Sequence, residues 1–296
     1  MNILIIGQTG QLASELAACV PAWAKATFVG RPECDLTHAA SIQATFAAVK
    51  PSVVINASAY TAVDKAESEP EAAYAVNSDG VKNIAQACKQ VGARLLHVST
   101  DFVFGNRSAL TADGIAPLLP DSPLEPISVY GASKLAGEQH IQALLPDTSV
   151  IVRTAWVYSV FGNNFVTTML RLMAEKPELG IITDQIGTPT WAKSLAQWLW
   201  TVVAKADVKG TFHWTDAGAA SWYDFAVAIQ ELALEKGLLT QEIPIKAIPT
   251  ASYPTPAKRP GYSVLDKTTA ENAAGMLTIH WRKQLANMLD DLKAAG

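Results

Sequence analysis

The sequence predicts an α/β fold, in which a doubly wound parallel sheet is joined to a smaller C-terminal substrate lobe. Short β-branched apolar runs alternate with Ala-rich stretches of helical periodicity, which is typical of repeated βα units. The runs lack polar alternation, so helices should cover both faces of the sheet. Strands are expected at Ile3–Ile6, Thr27–Val29, Val53–Asn56, Arg94–Val98 and Val150–Arg153. Helices are expected at Gln11–Val20, Ser41–Val49, Glu71–Val91 and Tyr130–Leu144.

The pattern changes after about residue 155, where tryptophan becomes frequent and the spacing of elements becomes irregular. We therefore expect a first domain at residues 1–155 and a lobe at residues 156–296, some of whose elements return to the first sheet. Five prolines between Ile243 and Pro260 predict an ordered loop there rather than a helix. The expected elements of this half are helices near Asn164–Glu175, Trp191–Val203 and Trp222–Glu235, and strands near Ile181–Ile182 and Thr211–Trp214.

Composition narrows the class of protein. The chain has 296 residues and a net charge of -4 without charge clusters, so we expect neither a nucleic-acid partner nor an anionic membrane surface. The N-terminus enters a strand at once, unlike a secretory signal, and no apolar run approaches the roughly 18–20 residues of a membrane span. Three separated cysteines indicate reduced thiols and no metal site. We expect a cytoplasmic protein.

A glycine-containing turn, Gly7-Gln-Thr-Gly-Gln-Leu-Ala13, joins the first strand to the first helix. Gly7 permits the tight turn, Gly10 lets the backbone approach a pyrophosphate, and the helix N-terminus directs free N–H groups at the phosphate. A turn without a ligand would also use such glycines, but the position at the first βα junction favours a dinucleotide site of the Rossmann type. The cofactor contacts expected here are Gly7, Thr9, Gly10, Gln11 and Leu12.

The second strand bears on the choice of dinucleotide. It ends at Val29-Gly30-Arg31, where an NAD enzyme usually carries an acid for the ribose 2′-hydroxyl. An arginine fork suits a 2′-phosphate, so Arg31 favours NADPH, with NADH possible, unless it is a solvated surface residue. Asp35 and Leu36 follow where the adenine would lie, although Asp35 or Thr37 could equally cap a helix. Residues after the third strand should also lie against the cofactor: Ala57, Ala59, Tyr60 and Thr61.

Three further residues have the pattern of a carbonyl-reduction site. Thr100 ends the fourth strand, and Tyr130 and Lys134 lie one turn apart on the next helix. An ordinary tyrosine, with a pKa of about 10, holds its proton too tightly, and a cation one turn away lowers that pKa. The Thr100 hydroxyl can donate to the same oxygen. We predict these three as catalytic residues, with Val98, Tyr130 and Lys134 also contacting the cofactor.

With these residues in place, the chain resembles the extended short-chain dehydrogenase/reductase family and, within it, the dTDP-4-dehydrorhamnose reductases. The resemblance covers nearly the whole length. It rests on GQTGQL from Gly7, NASAYTAVDKAESEPE from Asn56, STDFVF from Ser99, YGASKLAGE from Tyr130, RTAWVYSVFGNNF from Arg153, TDQIGTPT from Thr183, SWYDFA from Ser221 and KRPGYSVLD from Lys258.

The resemblance implies a nucleotide-sugar substrate and a reaction. NAD(P)H delivers hydride to carbon 4 of dTDP-4-dehydro-β-L-rhamnose, giving dTDP-β-L-rhamnose, the last step of dTDP-rhamnose biosynthesis. It implies that Thr100, Asp101 and Trp156 hold the sugar, while Asn163, Asn164 and Arg259 face the nucleotide or its phosphates. Alternatives stay open: Trp156 could be a core residue, and the two asparagines could cap the helix that starts there.

Two other functions fit the same sequence. One is reduction of another nucleotide-linked 4-ketosugar, and the other is a non-catalytic NADP-binding regulatory subunit, which would not need a complete catalytic set. The resemblance also raises a Mg²⁺-bridged dimer. Glu15 fits that arrangement, but Lys193 stands where another acid is expected, so we predict no metal and a monomer or weak homodimer.

Overall fold

A six-stranded parallel sheet forms the centre of the protein in the computed structural model, which describes residues 1–106, 108–111 and 114–295. The strand that begins the chain lies between the second and third strands, so the chain winds outward from it in both directions. All five predicted strands of this sheet are present, and this confirms the doubly wound fold. In spatial order the strands are Gly210–His213, Ser149–Thr154, Arg94–Thr100, Val53–Asn56, Asn2–Ile6 and Lys25–Val29.

Helices cover both faces of this sheet, as the absence of polar alternation predicted. On one face, the helices Gln11–Ala18 and Ala192–Val203 pack on side chains such as Ile5 and Ile55. On the other face, Leu4 and its neighbours pack beneath three helices. Those three helices are Ala39–Val49, Val81–Val91 and Val129–Leu144.

The predicted helix Glu71–Val91 is interrupted, and this is a correction to the sequence analysis. The chain forms a helix at Pro70–Tyr74, a π-helical turn at Ala75–Gly80 and a second helix at Val81–Val91. Asn77, inside the π-helical turn, bonds both backbone groups of Tyr60 and the Ser133 hydroxyl. Side-chain bonds of this kind to distant residues were not readable from the helical periodicity.

The second half builds a smaller cluster and also contributes to the first sheet. The cluster holds Phe225 and Trp281 at its centre, among the helices Phe165–Glu175, Trp222–Glu235 and Trp281–Ala295. Two elements of this half instead belong with the first sheet. One is the strand Gly210–His213, which pairs with Ser149–Thr154, and the other is the helix Ala192–Val203, which packs on the sheet. A boundary at residue 155 remains a prediction.

The proline-rich segment is not a loop throughout. Ile245–Ile248 is a strand that pairs in parallel with Leu179–Ile182, and the prediction of an irregular segment is wrong there. The remaining short helical segments are Val63–Ala66, Asp101–Val103, Thr250–Ser252 and Thr268–Ala274. The remaining short strands are Leu110–Thr111, Gly114–Ile115, Val157–Tyr158, Ile186–Gly187, Thr190–Trp191 and Ala220–Ser221.

Among the helices in the described ranges, none has both the length and the apolar character that crossing a membrane requires.

Candidate active site

A cavity of about 1040 Å³ opens at the carboxyl ends of the strands, beside the point where the sheet order reverses. Ligands of doubly wound sheets bind at this position. Every residue predicted to contact the cofactor lines the cavity: Gly7, Thr9, Gly10, Gln11, Leu12, Arg31, Asp35, Leu36, Ala57, Ala59, Tyr60, Thr61, Val98, Tyr130 and Lys134. Of the predicted substrate residues, it is lined by Thr100, Asp101, Trp156 and Asn163.

The glycine turn makes a close backbone contact at Gly7 and leaves open space at Gly10. Gly7 has a φ of 130°, and a Cβ there would lie 3.4 Å from the backbone of Ala57. A Cβ at Gly10 would meet no atom within 4 Å, so this position faces open space at the start of the helix. Backbone N–H groups at the helix start are therefore accessible to an anion.

Arg31 and Asp35 form a pair at one end of the cavity. Nε of Arg31 lies 3.4 Å from Asp35, and the Arg31 side chain is 82% exposed. Bonds from the hydroxyl and backbone N–H of Thr37 hold the pKa of Asp35 at about 2. Neither Asp35 nor Thr37 caps the following helix, which begins at Ala39 after His38. The N-cap alternative is therefore wrong.

Three buried polar atoms beside the cavity have no hydrogen-bond partner among the described residues. They are Oγ of Ser99, Oγ1 of Thr154 and Oε1 of Gln11. Buried polar groups are usually paired, and unpaired ones at a cavity indicate a polar ligand. A nicotinamide dinucleotide fits this requirement, since its amide and ribose hydroxyls donate and accept hydrogen bonds. Sequence reasoning missed Ser99 and Thr154 as site residues, although each ends or nearly ends a strand of the sheet.

Tyr130 and Lys134 both line the cavity, but the pKa of Tyr130 is not lowered as the sequence predicted. Burial raises the pKa of Tyr130 to about 12, against a hydrogen bond with Thr100 that lowers it. The Lys134 amine donates to the Val98 carbonyl at 2.8 Å and lies 3.2 Å from His97. Burial lowers the pKa of Lys134 to about 8, opposed by the charge of Glu138. The expected lowering of the Tyr130 pKa is therefore not present, because desolvation dominates.

Thr100 and Asp101 connect this pair to the second half of the chain. The Thr100 hydroxyl donates to Asp101 at 3.1 Å. Burial raises the pKa of Asp101 to about 6, while hydrogen bonds with Ser263 and Thr100 oppose the shift. Ser263 belongs to the KRPGYSVLD segment, and sequence reasoning missed it because its contact is with a residue far away in the chain.

Trp156 lines the cavity in an unusual backbone conformation. It has a φ of 49°, a left-handed conformation that is uncommon for a bulky residue and tends to occur at functional sites. Its ring stacks on Trp222 with centroids 3.6 Å apart. A Cβ on Gly187 would lie 2.7 Å from the Trp156 ring, so only glycine fits behind it. Trp156 is therefore a cavity residue whose ring is held in place by its contacts with Trp222 and Gly187.

Asn164 and Arg259 lie outside the cavity lining. Asn164 caps the helix Phe165–Glu175: its side chain accepts from the Thr167 N–H at 3.1 Å, as the capping alternative predicted. Arg259 directs its fork at Asp64, with Nη1–Oδ1 at 3.1 Å and Nη2–Oδ2 at 2.8 Å. This bond lowers the pKa of Asp64. The arginine predicted for a phosphate thus pairs with a carboxylate of the protein.

Glu15, the residue considered for a metal, also has partners within the protein. Its Oε1 accepts from the Ser159 hydroxyl at 2.7 Å and from Trp191 Nε1 at 3.1 Å. Lys193 pairs with Asp291 at 2.7 Å. Within the described residues, no group of three or more His, Cys, Asp or Glu side chains is arranged to hold a metal ion.

Comparison with known proteins places the chain in a family. The model of the RmlD substrate binding domain matches residues 1–294. The dTDP-4-dehydrorhamnose reductase of Escherichia coli K12 is 38% identical, over 99% of this chain and 98% of its own. The crystal structure of a dTDP-4-dehydrorhamnose reductase from Clostridium acetobutylicum has a TM-score of 0.90 at 38% identity, covering 99% of this chain and all of its own. That of Bacillus anthracis, in complex with NADP, has a TM-score of 0.89 at 31% identity and covers 98% of both chains. The chain belongs to the RmlD substrate binding domain family.

Proposed function

We propose that this protein is an NADPH-dependent reductase that converts dTDP-4-dehydro-β-L-rhamnose to dTDP-β-L-rhamnose. The observation that carries the proposal is the convergence of Thr100, Tyr130 and Lys134 on one cavity at the switch point of the sheet. The relatives named above support the substrate, and the relative in complex with NADP supports the cofactor.

When bound, NADPH supplies the hydride for carbon 4 of the sugar. Tyr130 donates its proton to the carbonyl oxygen as that oxygen gains negative charge. Its raised pKa keeps the phenol protonated until then. The Thr100 hydroxyl, which donates to Asp101 in this structure, turns its one proton to the same carbonyl oxygen when substrate binds. The charged Lys134 stabilises the phenolate that Tyr130 leaves.

The substrate side of the cavity comes from both halves of the chain. We assign Asp101, Trp156 and Asn163 to the sugar nucleotide, with Trp156 offering a rigid ring face. Arg259 reaches the diphosphate only by giving up its bonds to Asp64 and, at Nη1, those to the Thr255 hydroxyl and the Ala257 carbonyl. A bidentate arginine suits a carboxylate or a phosphate. The lobe at residues 156–296 is the proposed substrate lobe.

Arg31 is the residue we assign to the 2′-phosphate of NADPH. Its bond to Asp35 uses Nε, and the exposed guanidinium lies at the end of the cavity that Leu36 also lines. We further propose that the enzyme is cytoplasmic. We also propose that it is a monomer or a weak homodimer, and light scattering over a concentration series would test this oligomeric state.

The test of the function is incubation of the purified protein with NADPH and dTDP-4-dehydro-β-L-rhamnose. We expect substrate-dependent loss of NADPH absorbance and an NMR spectrum of dTDP-β-L-rhamnose. Turnover only with a different nucleotide-linked 4-ketosugar would change the substrate. Binding of NADPH without turnover of any nucleotide-linked 4-ketosugar would indicate a non-catalytic regulatory subunit instead.

A further inference from the structure

A buried pair of side chains that the proposed mechanism does not use lies against Lys134. His97, in the strand Arg94–Thr100, is fully buried, and its Nε2 is 3.2 Å from Nζ of Lys134. Its Nδ1 is 3.0 Å from Nδ2 of Asn56, its direct neighbour in the adjacent strand. A chain of two polar contacts therefore links Asn56 through His97 to Lys134, which lines the cavity.

The orientation of the Asn56 amide fixes the position of the histidine proton. The backbone N–H of Ser58 donates to Oδ1 of Asn56 at 3.1 Å, so the amide NH₂ faces His97. An amide NH₂ only donates, and Nδ1 of His97 must therefore accept. Burial, together with the charge of Lys134, lowers the pKa of His97 well below its usual value. The ring is thus neutral, and its single proton lies on Nε2.

This tautomer directs an N–H group at the Lys134 amine. A charged ammonium has three donors and no acceptor, so it cannot form a hydrogen bond with Nε2–H, which is also a donor. A neutral amine has a lone pair and can accept a hydrogen bond from Nε2–H. We propose that His97 is a positioning residue that lowers the basicity of Lys134 through the tautomer that Asn56 imposes. The inference rests on the proposed reduction, in which Lys134 is the cation beside Tyr130.

The remaining groups around Lys134 do not replace this contact. On its own helix, Tyr130 shares the cavity and Glu138 favours the ammonium, but the Glu138 carboxylate is bound by Arg153 at 2.7 Å. Asp101 lines the same cavity. Apart from Asp101, which is buried, the charged side chains on the helical elements packed against this helix are exposed or half-exposed: Asp64, Lys65, Glu71, Asp79, Lys82 and Lys89.

A less basic lysine has a use in this reaction. After Tyr130 has given up its proton, the phenolate must be reprotonated before the next turnover. Acid–base groups transfer protons most efficiently when their pKa lies near the working pH. A Lys134 that releases its proton readily can return one to Tyr130. The neutral amine then regains a proton from solvent through the cavity that it lines, and with a pKa of about 8 it is charged again at neutral pH.

The first test is the pH profile of kcat/KM in the wild type and in His97→Phe, which keeps a planar ring but has no ring nitrogen. Activity needs charged Lys134, so it falls as pH rises through the pKa of this group. We expect the alkaline limb to move up by about one pH unit in His97→Phe, the size of one hydrogen-bond term. His213→Phe is the matched control, since His213 is also fully buried in the sheet and bonds the Leu118 carbonyl instead. An unmoved limb in His97→Phe, or an equal shift in both variants, would overturn the proposal.

The second test needs no turnover and no change at His97. Long-range ¹H–¹⁵N spectra of the histidine-labelled protein report the tautomer, and the other four histidines can be substituted in turn to assign His97. We expect the Nε2–H form without protonation of the ring at neutral pH. The Nδ1–H form would overturn the proposal even if His97→Phe does not fold. If the wild type reduces no ketosugar and His97 is nonetheless the Nε2–H form, the proposed function fails and the assigned tautomer does not.

Discussion

Replacing Gly187 by alanine tests whether Trp156 contacts the substrate. A Cβ at this position would lie 2.7 Å from Cε2 and 2.8 Å from Nε1 of Trp156, and 2.9 Å from Oγ of Ser263. Apolar atoms in contact stand about 3.5–4.0 Å apart, so the indole must move by about 1 Å. The movement also disturbs its stack on Trp222, whose ring centroid is 3.6 Å away.

The expected magnitude follows from the displacement. Overpacking of a tight contact costs about 1–3 kcal/mol, and misplacing a positioning group by about 1 Å can reduce the rate by about 10²-fold. We expect KM for the sugar nucleotide to rise about 10- to 100-fold on this basis. The Kd for NADPH should change little, because the nearest neighbours of the added methyl are both on the substrate side.

The assay is steady-state kinetics with both ligands, together with a melting curve. Gly261→Ala is the matched control, since a Cβ at Gly261 would meet only the Asp184 carbonyl oxygen, at 3.9 Å. A Gly187→Ala protein that melts like the wild type and keeps its KM would remove Trp156 from the substrate site. An equal rise of KM in Gly261→Ala would mean a general disturbance of this lobe.

Substitutions at three further positions test the assigned roles, and a fourth, at Asp64, serves as a control. Tyr130→Phe should fold and bind NADPH while kcat falls by about 10²–10⁴-fold, and retention of more than about a tenth of kcat would exclude this residue as the acid. Arg31→Ala should remove a preference for NADPH over NADH of about ten- to a hundredfold in KM, and equal KM values in the wild type would contradict the assignment. Arg259→Ala should raise KM for the sugar nucleotide alone. Asp64→Ala should not raise it, because it removes the carboxylate that binds both Nη atoms and leaves Nη2 without a protein partner among the described residues. Loss of NADPH binding in Arg259→Ala would place this arginine at the other ligand.

The sheet and the residues that line the cavity after its strands were predictable because local patterns specify them. The strand Val53–Asn56 has the predicted bounds, and the helix at Val129–Leu144 begins one residue before Tyr130. Ligand residues of a doubly wound sheet follow directly after its strands, so finding the strand ends also locates these residues. Gly7 and Gly10 could be assigned for the same reason.

The substrate side was less predictable because contacts distant in sequence determine it. The strand Ile245–Ile248 exists through pairing with Leu179–Ile182, which no local periodicity shows. Ser263 enters the site through Asp101, and Gly187 is needed only because Trp156 lies against it. The pKa of Tyr130 likewise depends on its burial, and spacing from Lys134 contains no information about that.

Glu15 and Arg259 show how such contacts change the meaning of a sequence pattern. A buried acid is a candidate metal ligand and an arginine near a proline-rich loop is a candidate phosphate ligand, as long as neither has a partner. In this fold Glu15 accepts from Ser159 and Trp191, 144 and 176 residues away, and Arg259 pairs with Asp64, 195 residues away. Each contact joins the first half of the chain to the second. A charged residue therefore indicates an external ligand only after the fold has shown that no internal partner satisfies it. A phosphate proposed for Arg259 would have to displace Asp64 and, at Nη1, Thr255 and the Ala257 carbonyl.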